Sequence, residues 1–297
     1  MKIRAPAKIN LTLRVVGRRA DGYHLLDTLM VPISLYDDID ICKVRVTKKT
    51  RETDRPLIKV ICSNPAVPNG RGNLVYRAAE LLLAKAKIKQ PIEIRIHKRI
   101  PIGAGLGGGS SDAGATLNGL NRLFKLKLSA KKLERLGLTL GADVPFFIRG
   151  RPARARGIGE RLQPLHGLPA MSLVIVYPGF AVSTAWVYRN LPRKLTIPDL
   201  NNSILLRLKD GGDLGALMVN DLEIITLNRY PKIAIIKEKL LRAGAAACLM
   251  SGSGSSVFGI FHSNRKARVA FRMIAAEEDG TKAFLVKCLT LAPKVKS

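Results

Sequence analysis

The stretch Pro101-Ile-Gly-Ala-Gly-Leu-Gly-Gly-Gly-Ser-Ser-Asp112 constrains this chain more than any other. Five glycines fall between Gly103 and Gly109. The stretch follows Ile92-Glu-Ile-Arg-Ile-His97, whose strict alternation predicts a half-buried strand. It precedes Leu117, Leu120 and Phe124, whose spacing predicts one face of a helix beginning near Ser110 or Ser111. Glycine tolerates positive φ and has no Cβ, so such a backbone can curl around an anion with its N–H groups turned inward. A helix start adds unpaired N–H groups and a partial positive charge. Ser110 and Ser111 supply hydroxyls. The segment reads as a phosphate cradle, because a flexible linker would not be bounded by a strand and a capped helix.

The type of cradle is narrowed by what is missing. No G-x-x-x-x-G-K-[ST] occurs, which excludes a P-loop. Gly103–Gly108 satisfies G-x-G-x-x-G, but Leu126-Lys-Leu128 stands where a dinucleotide site would need an acid. His-Arg-Asp and Asp-Phe-Gly are absent, which argues against a protein kinase. A second loop, Met250-Ser-Gly-Ser-Gly-Ser-Ser256, joins two apolar runs. Alone it reads as a hairpin turn; beside the first loop it becomes a candidate second clamp on the same ligand.

At 297 residues the chain is long enough for about two domains. We expect 1–157 and 158–297, divided at the end of the Arg-, Gly- and Pro-rich stretch Arg149–Gly159. In the first part, Ile39–Val46 reads as a further strand, Asn73 caps a helix over Leu74–Lys87, and another helix runs from Ser129 to Leu136, ended by Gly137. Gly114 and Gly119, inside the helix after the loop, make sense if it packs tightly on another backbone. In the second part, strands are expected at Leu173–Tyr177, Ala246–Met250, Ser256–Phe261 and Ala283–Cys288. Helices are expected near Thr184–Asn190, Ser203–Leu208, Asp213–Met218, Lys232–Ala243 and Arg265–Glu277. This mixture predicts an α+β chain rather than a doubly wound sheet.

Lys and Arg number 50 against 22 Asp and Glu, a formal charge of +28. Such a surface attracts polyanions, and a nucleic-acid-binding protein is the rival reading. Yet the basic residues are spread along the whole chain and aromatics are only 5%, too few for a stacking platform. No specific nucleic-acid partner is expected. Cys42, Cys62, Cys248 and Cys288 include no CxxC pair, so free thiols are expected. The first residues lack the pattern of a signal peptide, and the longest apolar stretch, Ala170–Val182, is interrupted by Pro178 and too short to span a bilayer. We expect a cytoplasmic protein with no membrane partner; its oligomeric state is not legible.

Individual residues admit two readings each. Asp143, in Gly141-Ala-Asp-Val-Pro145, is either a cap or a working carboxylate. Lys8 is either a solvated charge or, given its strand-like apolar setting Pro6–Leu13, a buried functional one. His24 is a turn residue or, with Tyr23, an aromatic frame for a planar base, with Tyr188 on the other face. Asp112 is a favourable charge at a helix start or a ligand for Mg²⁺.

Pro6-Ala-Lys-Ile-Asn-Leu11, Pro101–Ser111 and Leu249–Ser256, in this order, resemble the three motifs of the GHMP small-molecule kinases. Arg19-Ala-Asp-Gly-Tyr-His24, Leu138–Phe146 and Gly157-Ile-Gly-Glu160 look like the branch of that family acting on a cytidine diphosphate derivative of methylerythritol. The likeness runs from about Lys2 to the late glycine loop. It implies an N-terminal ribosomal-protein-S5-like α/β domain and a C-terminal ferredoxin-like α+β domain. It also implies transfer of the ATP γ-phosphate, with Mg²⁺, to a tertiary 2-hydroxyl in the non-mevalonate route to isoprenoids. Asp143 then looks like the base and Lys8 its charged partner. The ATP side would comprise Pro101, Ile102, Gly103, Ala104, Gly105, Leu106, Gly107, Gly108, Gly109, Ser110 and Ser111, with Asn73 and Lys98 nearby. The substrate side would comprise Asn10, Tyr23, His24, Thr184 and Tyr188. Asp-Gly-Tyr-His and the Tyr188 position argue against a mevalonate or homoserine kinase. Arg154 and Arg156 depart from the likeness by placing positive charge ahead of Gly157.

Overall fold

The computed structural model describes residues 1–45, 57–192, 217–276 and 280–290. It opens with two long strands, β1 (Lys2–Arg18) and β2 (His24–Lys43), paired antiparallel along their whole length. Gly22, at φ +90, makes the turn between them. Register shifts at Pro6/Ala7, Asn10/Thr12 and Val15/Gly17 bend this hairpin, as bulges do. The far half of β2 (Asp38–Lys43) pairs with β4 (Ile92–His97), and its near half (Leu26–Met30) pairs with β5 (Ala153–Gly157). With β3 (Ile58–Cys62) on β4 and β6 (Arg161–Pro164) on β5, the first sheet runs β3-β4-β2-β5-β6, with β1 against β2. Arg154 forks both oxygens of Asp27 at 2.8 and 2.5 Å, and Arg156 adds a contact at 3.5 Å. That explains the basic residues ahead of Gly157.

Four helices lie between the strands of this part: α1 (Leu74–Lys85) between β3 and β4, and α2 (Gly108–Leu123), α3 (Ala130–Leu138) and α4 (Val144–Arg149) between β4 and β5. The glycines of α2 set how closely it approaches its neighbours. A Cβ on Gly114 would sit 3.0 Å from Phe147 Cβ and 3.3 Å from the Ile148 amide of α4, so this glycine does admit another backbone. Gly119 instead admits side chains, Ile3 and Ile41 of the sheet. α3 does not end at Gly137 as expected. Lacking a Cβ there lets Ile148 and Val144 close over the helix, which continues to Leu138. α2 starts two or three residues earlier than expected, because Gly107, at φ 72, forms a left-handed N-cap that glycine reaches without strain.

The second part forms another sheet, β10-β7-β9-β8, from β7 (Ser172–Tyr177), β8 (Ala247–Met250), β9 (Val257–Phe261) and β10 (Lys282–Lys287). All three pairings are antiparallel. This is the strand order of a split βαβ ferredoxin-like unit. Its helices are α5 (Thr184–Arg189), α6 (Glu223–Arg229), α7 (Lys232–Arg242) and α8 (Asn264–Ala275). The sequence reading did not contain α6. Its expected helix at 203–208 lies outside the described residues, as do Val46, Glu277 and 213–216; Leu217 and Met218 are described and are not helical.

The boundary expected at 157/158 falls inside the β5–β6 hairpin, both strands of which belong to the first sheet. The chain changes sheet between Pro164 and Ser172. The two parts share a core: Ile9, Leu11, Val31 and Ile33 pack with Leu173, Ile175, Leu249 and Phe258. Bridges Leu13↔Asn220 and Ile33↔Cys288 join them further. The four cysteines are free. No helix among the described residues is long and apolar enough to cross a membrane.

Candidate active site

The glycine loop leaves β4 and enters α2 with Gly103, Gly105 and Gly107 at φ +63, +74 and +72. A side chain is excluded there by space as well as by conformation. A Cβ on Gly105 would overlap the Ser251 carbonyl oxygen, and one on Gly107 would come within 2.8 Å of Phe147. The second glycine/serine loop clasps the first. Ser251 Oγ donates to the Gly105 carbonyl at 3.0 Å, and the Ser256 amide to the Ala104 carbonyl at 3.1 Å. Its Gly252 and Ser253 line the same cleft. No side chain caps α2, so its first N–H groups are available to an anion.

The cleft has a volume of about 990 Å³ and runs between the glycine loop, the β1–β2 hairpin, α4 and α5. It gathers Lys8, Asn10, Tyr23, His24, Asn73, Lys98, Asp143, Thr184 and Tyr188, with Pro101, Ile102, Gly103, Ala104, Gly105, Gly107, Gly108, Gly109 and Ser110. Residues 8 and 188 are thus brought together by folding alone. Two expected members lie elsewhere. Leu106 is buried in the core, and Ser111 is buried with its hydroxyl donating to the Pro6 carbonyl at 2.6 Å. Successive residues of α2 point about 100° apart, and of the serine pair only Ser110 meets the cleft.

Lys8 sits on β1, where the alternation of a bulged strand turns a long side chain inward. Its Nζ donates to Asn10 Oδ1 at 2.6 Å and lies 3.8 Å from Asp143 Oδ2. Burial pushes the Lys8 ammonium below the usual lysine range, and the Asp143 charge opposes that shift. Asn10 Nδ2 donates to Thr28 Oγ1 at 2.7 Å, which in turn donates to the Thr12 carbonyl at 2.6 Å. This chain fixes which end of the Asn10 amide faces Lys8. Asp143 stands at the N-cap position of α4 yet makes no capping hydrogen bond with its side chain. Of its two readings as a residue, the side-chain cap is therefore set aside, and the carboxylate faces the cleft beside the Lys8 ammonium.

The aromatic group differs from the expected sandwich. His24 and Tyr188 stack on each other, with centroids 5.2 Å apart and planes inclined by 27°. No base fits between rings that close. The two form one platform, with Tyr23 beside it and 60% exposed. Short α5 begins at Thr184 and so delivers Tyr188 straight onto His24. Burial, then the Asp143 charge, pushes the Tyr188 hydroxyl upward. Burial, then Arg18, pushes His24 downward, favouring the neutral ring. Thr184 Oγ1 and Ser253 Oγ share a hydrogen bond of 2.8 Å, tying α5 to the second loop. Asn73 caps α1, accepting from the Val75 amide at 2.9 Å and donating to the Pro68 carbonyl at 2.9 Å.

Sequence reasoning missed two groups. Asn220 Nδ2 donates to the Met250 and Gly252 carbonyls at 2.8 and 2.7 Å, setting the second loop. Asp37 is fully buried and accepts from Lys98, whose Nζ also bonds Asp112 at 2.7 Å. Neither carried a local signal. Among the described residues, no three His, Cys, Asp or Glu side chains gather as metal ligands.

Residues 73–151 match the GHMP kinases N terminal domain and residues 203–279 the GHMP kinases C terminal domain. The chain is 46% identical over 275 residues to the 4-diphosphocytidyl-2-C-methyl-D-erythritol kinase of Citrifermentans bemidjiense, covering 93% of this chain and 94% of that one. It is 47% identical to the enzyme of that name from Geobacter sulfurreducens, covering 93% and 95%. A crystal structure of 4-(cytidine 5'-diphospho)-2C-methyl-D-erythritol kinase matches with TM-score 0.82 at 39% identity, over 97% and 99% of the two chains. A homoserine kinase from Cytophaga hutchinsonii matches with TM-score 0.75 at 21% identity, over 99% and 96%, a likeness of fold alone. With both domain families matched and relatives this similar along nearly the whole length, the chain belongs to the GHMP kinases and, within them, to the 4-diphosphocytidyl-2-C-methyl-D-erythritol kinase family.

Proposed function

We propose that this chain transfers the γ-phosphate of ATP to the 2-hydroxyl of 4-diphosphocytidyl-2-C-methyl-D-erythritol, giving the 2-phosphate and ADP, as a step of isoprenoid synthesis. The observation that carries this reading is the Lys8–Asp143 pair, 3.8 Å apart, facing the glycine loop within one cleft. Phosphoryl transfer asks mainly for positioning and charge neutralisation. The uncapped start of α2 and the inward loop N–H groups receive the ATP phosphates. Asp143 takes the hydroxyl proton as the alcohol oxygen attacks the γ-phosphorus and the bond to the β-phosphate oxygen breaks. Lys8 stabilises charge on the group in transit. Asn10 orients the reacting end of the substrate, and Thr184 meets its phosphate side. The His24–Tyr188 platform, with Tyr23, receives the cytosine on its open face by stacking.

Mg²⁺ supplies charge neutralisation when it enters with the nucleotide. The fit is to a metal carried by phosphate oxygens and water, which needs only one or two protein oxygens; Ser110 lines the cleft at the loop. Four free thiols suit a reducing compartment, and we place the enzyme in the cytoplasm. One assay tests the reading: ATP consumption with the cytidine diphosphate compound, mevalonate and homoserine in parallel. Turnover of the first alone is expected. Preference for mevalonate or homoserine overturns the substrate assignment.

A further inference from the structure

The two glycine loops are held in different ways. The first is fixed at its entry by Asp37, which accepts from the Arg99 and Ile100 amides at 2.5 and 2.9 Å. The second is gripped by residues 219–223, which grip β1 as well. On the β1 side, the Leu13 amide donates to the Val219 carbonyl at 2.8 Å, and the Asp221 amide donates to the Leu13 carbonyl at 2.9 Å. Asp221 Oδ2 accepts from the Val15 amide at 2.8 Å, and its Oδ1 accepts from Arg14 at 3.0 Å. On the loop side, Asn220 Nδ2 donates to the Met250 and Gly252 carbonyls, while its Oδ1 accepts from the Leu222 amide at 3.0 Å. Glu223 Oε1 accepts from the Met250 amide at 2.7 Å, and its other oxygen accepts from Lys237 at 2.6 Å. Met250 is thus fixed by both its amide and its carbonyl.

The two things so joined meet again in the cleft. β1 carries Lys8 and Asn10. A Cβ on Gly252 would lie 3.3 Å from Lys8 Nζ, so the backbone of the second loop borders the ammonium. Gly252 lines the cleft, whereas Asn220 is buried and does not. The Gly252 carbonyl is therefore committed to a buried donor outside the cleft. Gly252 sits at φ +56, where a residue without a Cβ can turn its peptide either way. Released from Asn220, that carbonyl becomes a free acceptor next to a buried ammonium, and a hydrogen bond to a charged donor is among the strong ones. It would compete with Asn10 and Asp143 for Lys8. It would also turn partial negative charge towards arriving phosphates.

Resting on the reading of Lys8 as the cation that meets the group in transit, we propose that residues 219–223 form a strut between β1 and the second glycine loop, and that Asn220 is a positioning residue for Lys8. Asn220 keeps the Gly252 carbonyl away from the ammonium, which leaves Lys8 to Asn10, Asp143 and the phosphoryl group. Asp221 fixes the other end of the strut to the strand from which Lys8 projects. Asn220 touches neither ligand. It acts through the loop, and its effect on turnover exists only while Lys8 is present.

The test is a double-mutant cycle on the full chain, with kcat and both KM values measured using ATP, Mg²⁺ and the cytidine diphosphate compound. Asn220→Ala removes both donors to the loop. It should lower kcat about ten- to a hundredfold, the scale of a catalytic group misplaced by about 1 Å, and leave each KM within about threefold. In a Lys8→Met background the same substitution should change kcat by less than about threefold, because the group it positions is gone. Asp221→Asn keeps an oxygen for the Val15 amide and gives up only the charge facing Arg14. It should lower kcat by about three- to tenfold, again only when Lys8 is present, and it carries the test if circular dichroism shows Asn220→Ala unfolded. Equal losses of kcat with and without Lys8 would make the strut a general support and overturn the proposal. So would an unchanged kcat, or a higher KM for ATP alone, which would mean that Asn220 serves only the nucleotide cradle. If Lys8→Met by itself leaves kcat intact, the reading of Lys8 fails, which is a separate result.

Discussion

Replacing Asp143 by Asn keeps the side chain's shape and one oxygen but leaves nothing that can take the hydroxyl proton at neutral pH. General-base catalysis is worth about 10²–10⁴-fold, so kcat should fall by that order. ATP should still bind, because on the proposed reading its phosphates are held by the glycine loop and the start of α2 and not by Asp143. Lys8→Met removes the ammonium from between Asn10 and Asp143 and should also lower kcat. The geometry sets the coupling of the two. Opposite charges 3.8 Å apart attract by about 4 kcal/mol at an effective dielectric of about 20. Asp143 is 36% exposed, and solvent screening leaves about 1–2 kcal/mol. The double variant should therefore lose roughly five- to thirtyfold less than the product of the single losses. The assay is kcat for the two single variants and the double, with ATP binding followed by calorimetry and folding by circular dichroism. A folded Asp143→Asn enzyme with near-full turnover would refute the base. Strictly multiplicative losses would refute the pair as a unit.

Other consequences can be read from the same structure. Tyr188→Ala removes half of the His24 platform; its stacking contact, worth about 1–3 kcal/mol in comparable sites, should raise the KM for the cytidine substrate and leave the KM for ATP alone. An ATP-specific defect would mean the two ligands are placed the wrong way round. Gly105→Ala pits a Cβ against the Ser251 carbonyl at φ +74, and neither backbone can yield, so thermal stability and ATP affinity should fall together; an unchanged melting curve would contradict this. Lys8 is pushed down by burial, so between its folded value and 10.5 the unfolded chain holds the extra proton. Stability relative to Lys8→Met should then rise with pH through that window and be flat below it, which denaturant midpoints of both proteins at pH 7.5 and 9.5 would show. Nucleic acid should bind weakly and steeply less with added salt; tight, sequence-selective binding at physiological salt would defeat the view that the +28 charge is a solvated surface.

What the sequence disclosed was whatever a short window encodes. The loop's glycines announced positive φ, and Gly103, Gly105 and Gly107 adopt it. The alternation of Ile92–His97 and the cap at Asn73 were equally local, and β4 and α1 follow them. Harder to see was β1, because the bulges at Pro6/Ala7 and Asn10/Thr12 break its period, although Lys8 in an apolar run already betrayed an inward lysine. Gly137 misled for a related reason. Glycine as a stop signal is a statement about a free chain, whereas here the missing Cβ makes room for Val144 and Ile148, and that packing carries the helix onward.

The unread part of the site consists of pairings over long sequence distances, and these decide how the local signals are used. Asp37 meets Lys98 from 61 residues away and Asn220 meets Met250 from 30. In sequence, each is an ordinary polar residue. Both act by fixing backbone: Asp37 at the entry of the first loop, Asn220 along the second. A glycine loop free to adopt positive φ is free to adopt much else, and loses that freedom on binding. Holding both loops by buried side chains takes that loss during folding instead. The glycines therefore state that an anion can be cradled, while the distant Asp and Asn determine that the cradle is already formed when the anion arrives.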